Sequence, residues 1–257
     1  MRGIEASPNT IVVSRRLEWQ TAEVAEIVDE TPRTRSLILN LPDWPGHRPG
    51  QHVDIRLTGE DGYQAQRSYS IASAPESPRL AVTIERIDDG EVSPYLASVV
   101  QPGDRFELRG PIGGYFVWTA ALGGPLFLIA GGSGIVPLMA MLRHRAAVAS
   151  PVSTLLLYSS RSYEDIIYRE ELDRLAAADD QLMVKHTLTR HQPIGWSGGN
   201  RRIDREMLAA LGMPAIARPR VFICGPTQLV EFAAASLIDL GHEPRLVKTE
   251  RFGPTGG

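Results

Sequence analysis

The hydrophobic period of this chain changes once, near residues 118–124, and that change restricts the folds open to it. Upstream, apolar and polar residues alternate over short runs. Residues 52–57 place Val53, Ile55 and Leu57 on one face, and residues 80–87 do the same with Leu80, Val82 and Ile84. Residues 105–108 alternate again, residues 23–29 do so in places, and residues 35–41 set Leu37, Ile38 and Leu39 between polar ends. A period of two marks strands with one buried face. Pro45-Gly46, Pro49-Gly50 and Pro102-Gly103 punctuate the runs, so this half predicts an antiparallel β-barrel or sandwich. Downstream, residues 125–130 form an unbroken apolar run, as a strand buried on both faces requires. Helical character follows over 136–147. Strand-like stretches at 154–158, 182–188, 220–224 and 245–250 then alternate with helical ones at 168–178, 204–211 and 227–240. That alternation predicts an α/β domain with a parallel sheet covered on both faces. The expected organisation is a leader over 1–18, a β-barrel domain over 19–119, and an α/β domain with a C-terminal tail over 120–257.

Composition removes several classes of function. The formal net charge of −3 gives no electrostatic case for a nucleic-acid partner. Cys224 is the one cysteine, so a Cys-rich zinc site, an iron–sulfur cluster and an internal disulfide are all excluded. No apolar run reaches the ~18–20 residues of a membrane span. The apolar run Ile11-Val12-Val13 is too short for a signal-peptide core. A cytoplasmic, monomeric protein without a membrane partner is expected.

Gly131-Gly132-Ser133-Gly134-Ile135-Val136-Pro137 follows the first buried strand and opens a helix. Glycines there let the backbone approach a phosphate, and free N–H groups at the helix start favour an anion. Pro137 suits the first helical turn, where its missing N–H costs nothing. It also stands where the dinucleotide fingerprint has its third glycine. Taken alone, the loop favours a phosphate site, with a tight strand–helix turn as the lesser reading. A nucleophile elbow at Ser133 fails because Ile135 replaces the required second glycine. His186, His191 and His242 would supply its base by residue type only.

Arg67-Ser68-Tyr69-Ser70 offers a cation for phosphate, a flat aromatic for a ring face, and hydroxyls. By itself it reads equally as an edge strand with a surface arginine and a packed tyrosine. It is followed in order by Gly90-Glu91-Val92-Ser93, Gly110-Pro111-Ile112-Gly113, the glycine loop, Cys224-Gly225-Pro226 and Glu250-Arg251-Phe252. This ordered set, spanning residues 19–253, resembles the ferredoxin–NADP reductase superfamily.

The resemblance implies a flavin on the first domain and a nicotinamide dinucleotide on the second. Arg67 would then pair with the flavin pyrophosphate. Tyr69 would stack on the isoalloxazine, and Ser70 would bond near its N5. Gly90, Glu91, Val92 and Ser93 correspond to the pyrophosphate loop, with Ser93 as N-cap and Pro94 at the first helical position. A pyrophosphate pocket favours FAD over FMN. Cys224, otherwise an inert core cysteine, would lie beside the nicotinamide, with Gly225 and Pro226 behind it. Glu250 would complete a catalytic Ser70–Cys224–Glu250 cluster, and Phe252 would cover the second flavin face. The implied activity is hydride transfer from NAD(P)H to FAD, then single electrons to a separate ferredoxin, flavodoxin or oxygenase component. Two alternatives stand beside it. One is a reductase subunit of a stable oxygenase complex using NADH; the other is a nucleotide-binding regulator without redox activity.

The choice of nicotinamide turns on arginines. NAD-binding folds often hold the ribose diol with an acid after the second strand, whereas arginine accommodates a 2′-phosphate. Here Ser159-Ser160-Arg161 follows that strand, with Glu164 and Asp165 only later. Thr189-Arg190 resembles the family's phosphate clamp, and Arg201-Arg202 a further arginine site. NADPH is therefore expected over NADH, although these arginines also read as a solvated surface.

Overall fold

The structure is a computed structural model that describes residues 17–252. Most of the expected leader and the tail after Phe252 lie outside the described residues.

The first half is built from β1 (Gln20–Thr31), β2 (Thr34–Asn40), β3 (His52–Thr58), β4 (Gln64–Ser70), β5 (Leu80–Glu85) and β6 (Arg105–Ile112). They form one antiparallel sheet in the order β4-β3-β6-β1-β2-β5. The sheet curls until the chain just beyond β4 meets β5: Ile71 bridges Val82, and the Ala72 N–H donates to the Ala81 carbonyl at 2.8 Å. The alternating residues point inward as their period requires. Val24, Leu37, Leu39, Val53, Ile55, Val82, Ile84 and Leu108 form one buried cluster, with Leu96 of the short helix α1 (Ser93–Ser98) packed among them. Burying each large aliphatic side chain contributes about 1.5–3 kcal/mol.

The second half alternates as expected: β7 (Leu126–Gly131), α2 (Ile135–Ala147), β8 (Thr154–Ser160), α3 (Arg169–Ala178), β9 (Leu182–Leu188), α4 (Arg205–Leu211), β10 (Arg220–Pro226), α5 (Thr227–Asp239) and β11 (Val247–Phe252). The sheet is parallel, in the order β11-β10-β7-β8-β9. Leu128, Leu156 and Phe222 pack with α2 on one face. Phe127, Leu155, Val221 and Ile223 pack with α4 and α5 on the other.

Element ends differ from the sequence reading in informative ways. β5 stops at Glu85, because Ile87 closes a turn by accepting from the Gly90 N–H at 2.9 Å. Ser93 is not the N-cap. Val92 holds the cap position, Ser93 is the first helical residue, and its hydroxyl accepts from the Ile87 N–H at 3.1 Å. The serine thus fastens the preceding loop rather than the helix start. β10 and β11 run on to Pro226 and Phe252, because their parallel pairing continues through Gly225–Arg251 and Pro226–Phe252.

The two halves meet across a seam of buried and half-buried polar contacts that sequence periodicity did not signal. Tyr168, immediately before α3, donates its hydroxyl to Thr83 of β5. The Thr83 and Ser36 hydroxyls lie 2.7 Å apart, and Ser36 donates to Glu30 at 2.6 Å. The protons therefore run in one direction, from Tyr168 to Glu30. Arg143 of α2 donates to the Ala72 carbonyl at 2.8 Å and grips Glu171 with two bonds of 2.9 and 2.6 Å. His144 lies 2.8 Å from Glu76, while its Nε2 accepts from the Ala120 N–H at 3.2 Å. That second bond leaves the proton on Nδ1, directed at the carboxylate.

Candidate active site

One cleft of about 2100 Å³ runs along the seam. Pockets for a single drug-sized ligand hold roughly 300–1,000 Å³, so this one has room for two extended ligands. Its floor on the second half is the carboxyl end of the parallel sheet, where Gly131, Ser159, Ser160, Thr189, Pro226 and Glu250 all face the opening. Ligands of open α/β sheets bind in this position.

On the barrel side, the polar residues of β4 bring Arg67, Ser68, Tyr69 and Ser70 to the cleft, and Gly90, Glu91, Val92 and Ser93 face it from the loop before α1. Tyr69 packs against the barrel core, and burial pushes its phenol well above the usual range, so it stays protonated. Arg67 Nη2 donates to Glu91 at 2.6 Å, which shows that the guanidinium is presented to an anion at the cleft wall.

Three side chains from distant segments converge at the β10–β11 end. Cys224 and Glu250 are register partners on adjacent strands, and the Ser70 hydroxyl reaches Glu250 from the barrel. Burial raises the Glu250 carboxyl to about 7, with the Ser70 hydrogen bond pulling the other way. Burial raises the Cys224 thiol well above its ordinary value, and the neighbouring carboxylate adds to the effect. A protonated, buried thiol is a packing group, not a nucleophile. Cys224 itself lies beneath the cleft surface.

Gly134 and Gly225 explain how the main chain forms this floor. A Cβ on Gly134 would stand 2.1 Å from the Cys224 carbonyl oxygen, so only glycine lets the loop cross β10 so closely. Gly225 adopts φ +157, and a Cβ there would meet the Gly131 backbone at 3.1 Å. Gly134 and Gly225 therefore support the floor without lining it, Pro137 does not line it, and Gly132 and Ser133 face the cleft. His186, His191 and His242 do not line it, so Ser133 has no base among them.

At the β8–β9 end, Arg161, Arg190 and Arg202 line the cleft. The backbone holds them side by side. The Thr189 N–H donates to the Ser160 carbonyl at 3.0 Å, and the Arg190 N–H to the Arg161 carbonyl at 2.9 Å. The Thr187 hydroxyl donates to the Arg201 carbonyl at 2.5 Å, docking the segment that carries Arg202. Among the described residues none of the three has an ion-pair partner. Arg201, by contrast, does not line the cleft and pairs with Asp204, which does, and with Glu206, at 2.5 and 3.3 Å. Asp165, which also lines the cleft, accepts from the Ser162 N–H and hydroxyl at 3.2 and 3.0 Å.

The sequence reading missed several cleft residues, among them Thr83, Arg33, Arg86, Tyr115, Ile167 and Phe232. Only the glycine pair before Tyr115 distinguished any of them from ordinary surface. Among the described residues no cluster of His, Cys, Asp and Glu is placed to hold a metal, and no helix is long and apolar enough to cross a membrane.

Residues 21–117 match the family model for the oxidoreductase FAD-binding domain, and residues 128–235 that for the oxidoreductase NAD-binding domain. Ferredoxin–NADP reductase B of Sorangium cellulosum is 35% identical over 212 residues, covering 79% of this chain and 84% of that protein. The ferredoxin reductase component of the 3-ketosteroid-9-alpha-monooxygenase of Mycobacterium tuberculosis is 34% identical over 242 residues, 90% of this chain. This chain spans 64% of that relative's length. The flavohem-like FAD/NAD-binding domain of nitric oxide dioxygenase from Vibrio cholerae superposes with a TM-score of 0.80 at 26% identity, covering 91% of this chain and 99% of that one. The chain belongs to the ferredoxin–NADP reductase superfamily and is an FAD-dependent NAD(P)H oxidoreductase. The cleft fits both cofactors: it presents a cation and an aromatic on the barrel side, and a glycine floor with arginines on the other.

Proposed function

We propose that the protein is an NADPH-preferring reductase that passes electrons from FAD to a separate ferredoxin, flavodoxin or oxygenase component. The two cofactors supply the redox chemistry, a two-electron transfer from nicotinamide to flavin followed by release of single electrons. The chain's own residues bind, orient and manage protons. Arg67 holds the flavin diphosphate through a planar fork, and Tyr69 flanks the ring. Gly132 and Ser133 offer the dinucleotide a close backbone approach, with Pro226 and Phe252 bordering the nicotinamide end. Strands lie ~4.8 Å apart, so the path from β11 to β9 is roughly 19 Å. It leads from Glu250, Cys224 and Ser70 to the arginines, as an extended dinucleotide requires. Glu250, titrating near 7 beside Ser70, can hold or release a proton next to the reacting rings.

The observation that carries the NADPH preference is the set of cleft arginines without ion-pair partners, Arg161, Arg190 and Arg202, beside an Asp165 already committed to Ser162. A ribose 2′-phosphate would satisfy such a set, whereas a bare diol would leave it uncompensated. The test is anaerobic bleaching of the flavin bands by NADPH and, separately, by NADH. Faster bleaching with NADPH is expected; faster bleaching with NADH would sink the assignment of the arginines but leave the enzyme class. A second reading, an NADH-using reductase subunit of an oxygenase complex, is favoured by the likeness to the monooxygenase reductase component. Co-purification with an oxygenase would support it.

A further inference from the structure

Glu91 lies in the segment expected to meet the flavin diphosphate, yet it brings a negative charge to that place. Its carboxylate is held from two sides. Arg67 Nη2 donates to one oxygen at 2.6 Å, and the Tyr63 hydroxyl donates to the other at 2.7 Å. Arg67 and Glu91 line the cleft, whereas Tyr63 stands outside it with its ring exposed. The Tyr63 hydrogen bond, and then that from Arg67, hold the Glu91 carboxyl below its usual range, so it is an anion at neutral pH. The Arg67–Glu91 pair is half exposed on both sides, at 52% and 47%. Such a pair is weakly held and readily exchanged. A diphosphate offers the same guanidinium more charge and a second oxygen for its fork.

We propose that Glu91 is a built-in competitor of the FAD diphosphate for Arg67, which yields the guanidinium when flavin binds and is then retained outside the cleft by Tyr63. The proposal rests on the reading of Arg67 as a diphosphate ligand. Glu91 thereby sets how tightly the protein keeps its flavin, without touching the ring. It also explains why a carboxylate is tolerated in an anion-binding loop: Tyr63 gives it a second place to rest.

The experiment is a titration of flavin-stripped protein with FAD and with riboflavin, which lacks phosphate, followed by flavin fluorescence. Wild type, Glu91→Gln, Arg67→Gln and the double variant are compared. Glu91→Gln should tighten FAD binding by roughly two- to fivefold, leave riboflavin unchanged, and lose its gain as salt rises. In the Arg67→Gln background the gain should vanish. Unchanged or weaker FAD binding by Glu91→Gln overturns the proposal, as does a gain that persists without Arg67, which would mean plain repulsion between carboxylate and phosphate. If Arg67→Gln binds FAD as well as wild type, the reading of Arg67 itself falls; that result is separable from failure of the competition alone.

Discussion

The two ends of the cleft treat positive charge differently. On the barrel side every arginine lining it is already matched. Arg67 pairs with Glu91 at 2.6 Å, and Arg33 and Arg86 both meet Asp88, at 3.0 and 3.1 Å. At the β8–β9 end, Arg161, Arg190 and Arg202 have no such partners among the described residues. At the neutralised end little field is left to attract free anions, and FAD gains Arg67 only by displacing Glu91. An uncompensated end suits a ligand that comes and goes, because unscreened charge raises its rate of encounter.

The sharpest way to break this comparison is to remove charge at each end in turn. Arg190→Ala combined with Arg202→Ala should raise KM for NADPH by roughly 100-fold or more, since each charge-assisted hydrogen bond contributes about 1.5–3 kcal/mol. KM for NADH should barely move. Equal losses with both substrates would show that the arginines support the loop and do not read the phosphate. Arg67→Gln should act on the other cofactor, weakening FAD by roughly tenfold with little change in nicotinamide discrimination. Ionic strength gives a smaller, non-invasive version: raising salt from low to physiological should slow NADPH association several-fold more than NADH association.

Glu250 provides a test that depends on neither charge cluster. Its folded carboxyl titrates near 7, above its ordinary 4.5. Between those values the folded state keeps a proton that the unfolded chain releases. Stability is therefore lost as pH rises through this window, and the loss is complete above it. Glu250→Gln removes the penalty. The difference in Tm between the variant and wild type should shift in the variant's favour by roughly 2–6 °C from pH 5 to pH 8. A difference that stays constant across that range would show that the carboxyl is not held in its acid form.

The architecture was legible because two hydrophobic periods were written plainly. Val53, Ile55 and Leu57 fit one face of a strand, and the run ending at Ala130 fits a strand buried on both sides. The glycine loop was legible for a steric reason, visible in retrospect at Gly134, where no larger residue fits against Cys224. Ser93 misled because a serine before a proline is a strong capping signal, and nothing local announced that Ile87 would claim its hydroxyl. The seam was silent for a similar reason. Thr83, Tyr168 and Ser36 are remote in sequence, and a hydroxyl carries no periodic mark of the partner it will find. β4 was half visible: its polar run Gln64, Gln66 and Ser68 hides a strand that is needed for the cofactor more than for the core.

The seam also bears on modularity. Each half matches its own family model, which invites the view that reductases of this kind are assembled from exchangeable parts. The Tyr168–Thr83 and His144–Glu76 contacts argue otherwise, because each joins a residue of one part to a residue of the other, the first in a buried setting and the second in a half-buried one. A chimera that imported only the nucleotide-binding half would strand the hydroxyl of Thr83 and the carboxylate of Glu76 against foreign surfaces. The unit of inheritance, and the unit a protein engineer should graft, is the matched pair of halves.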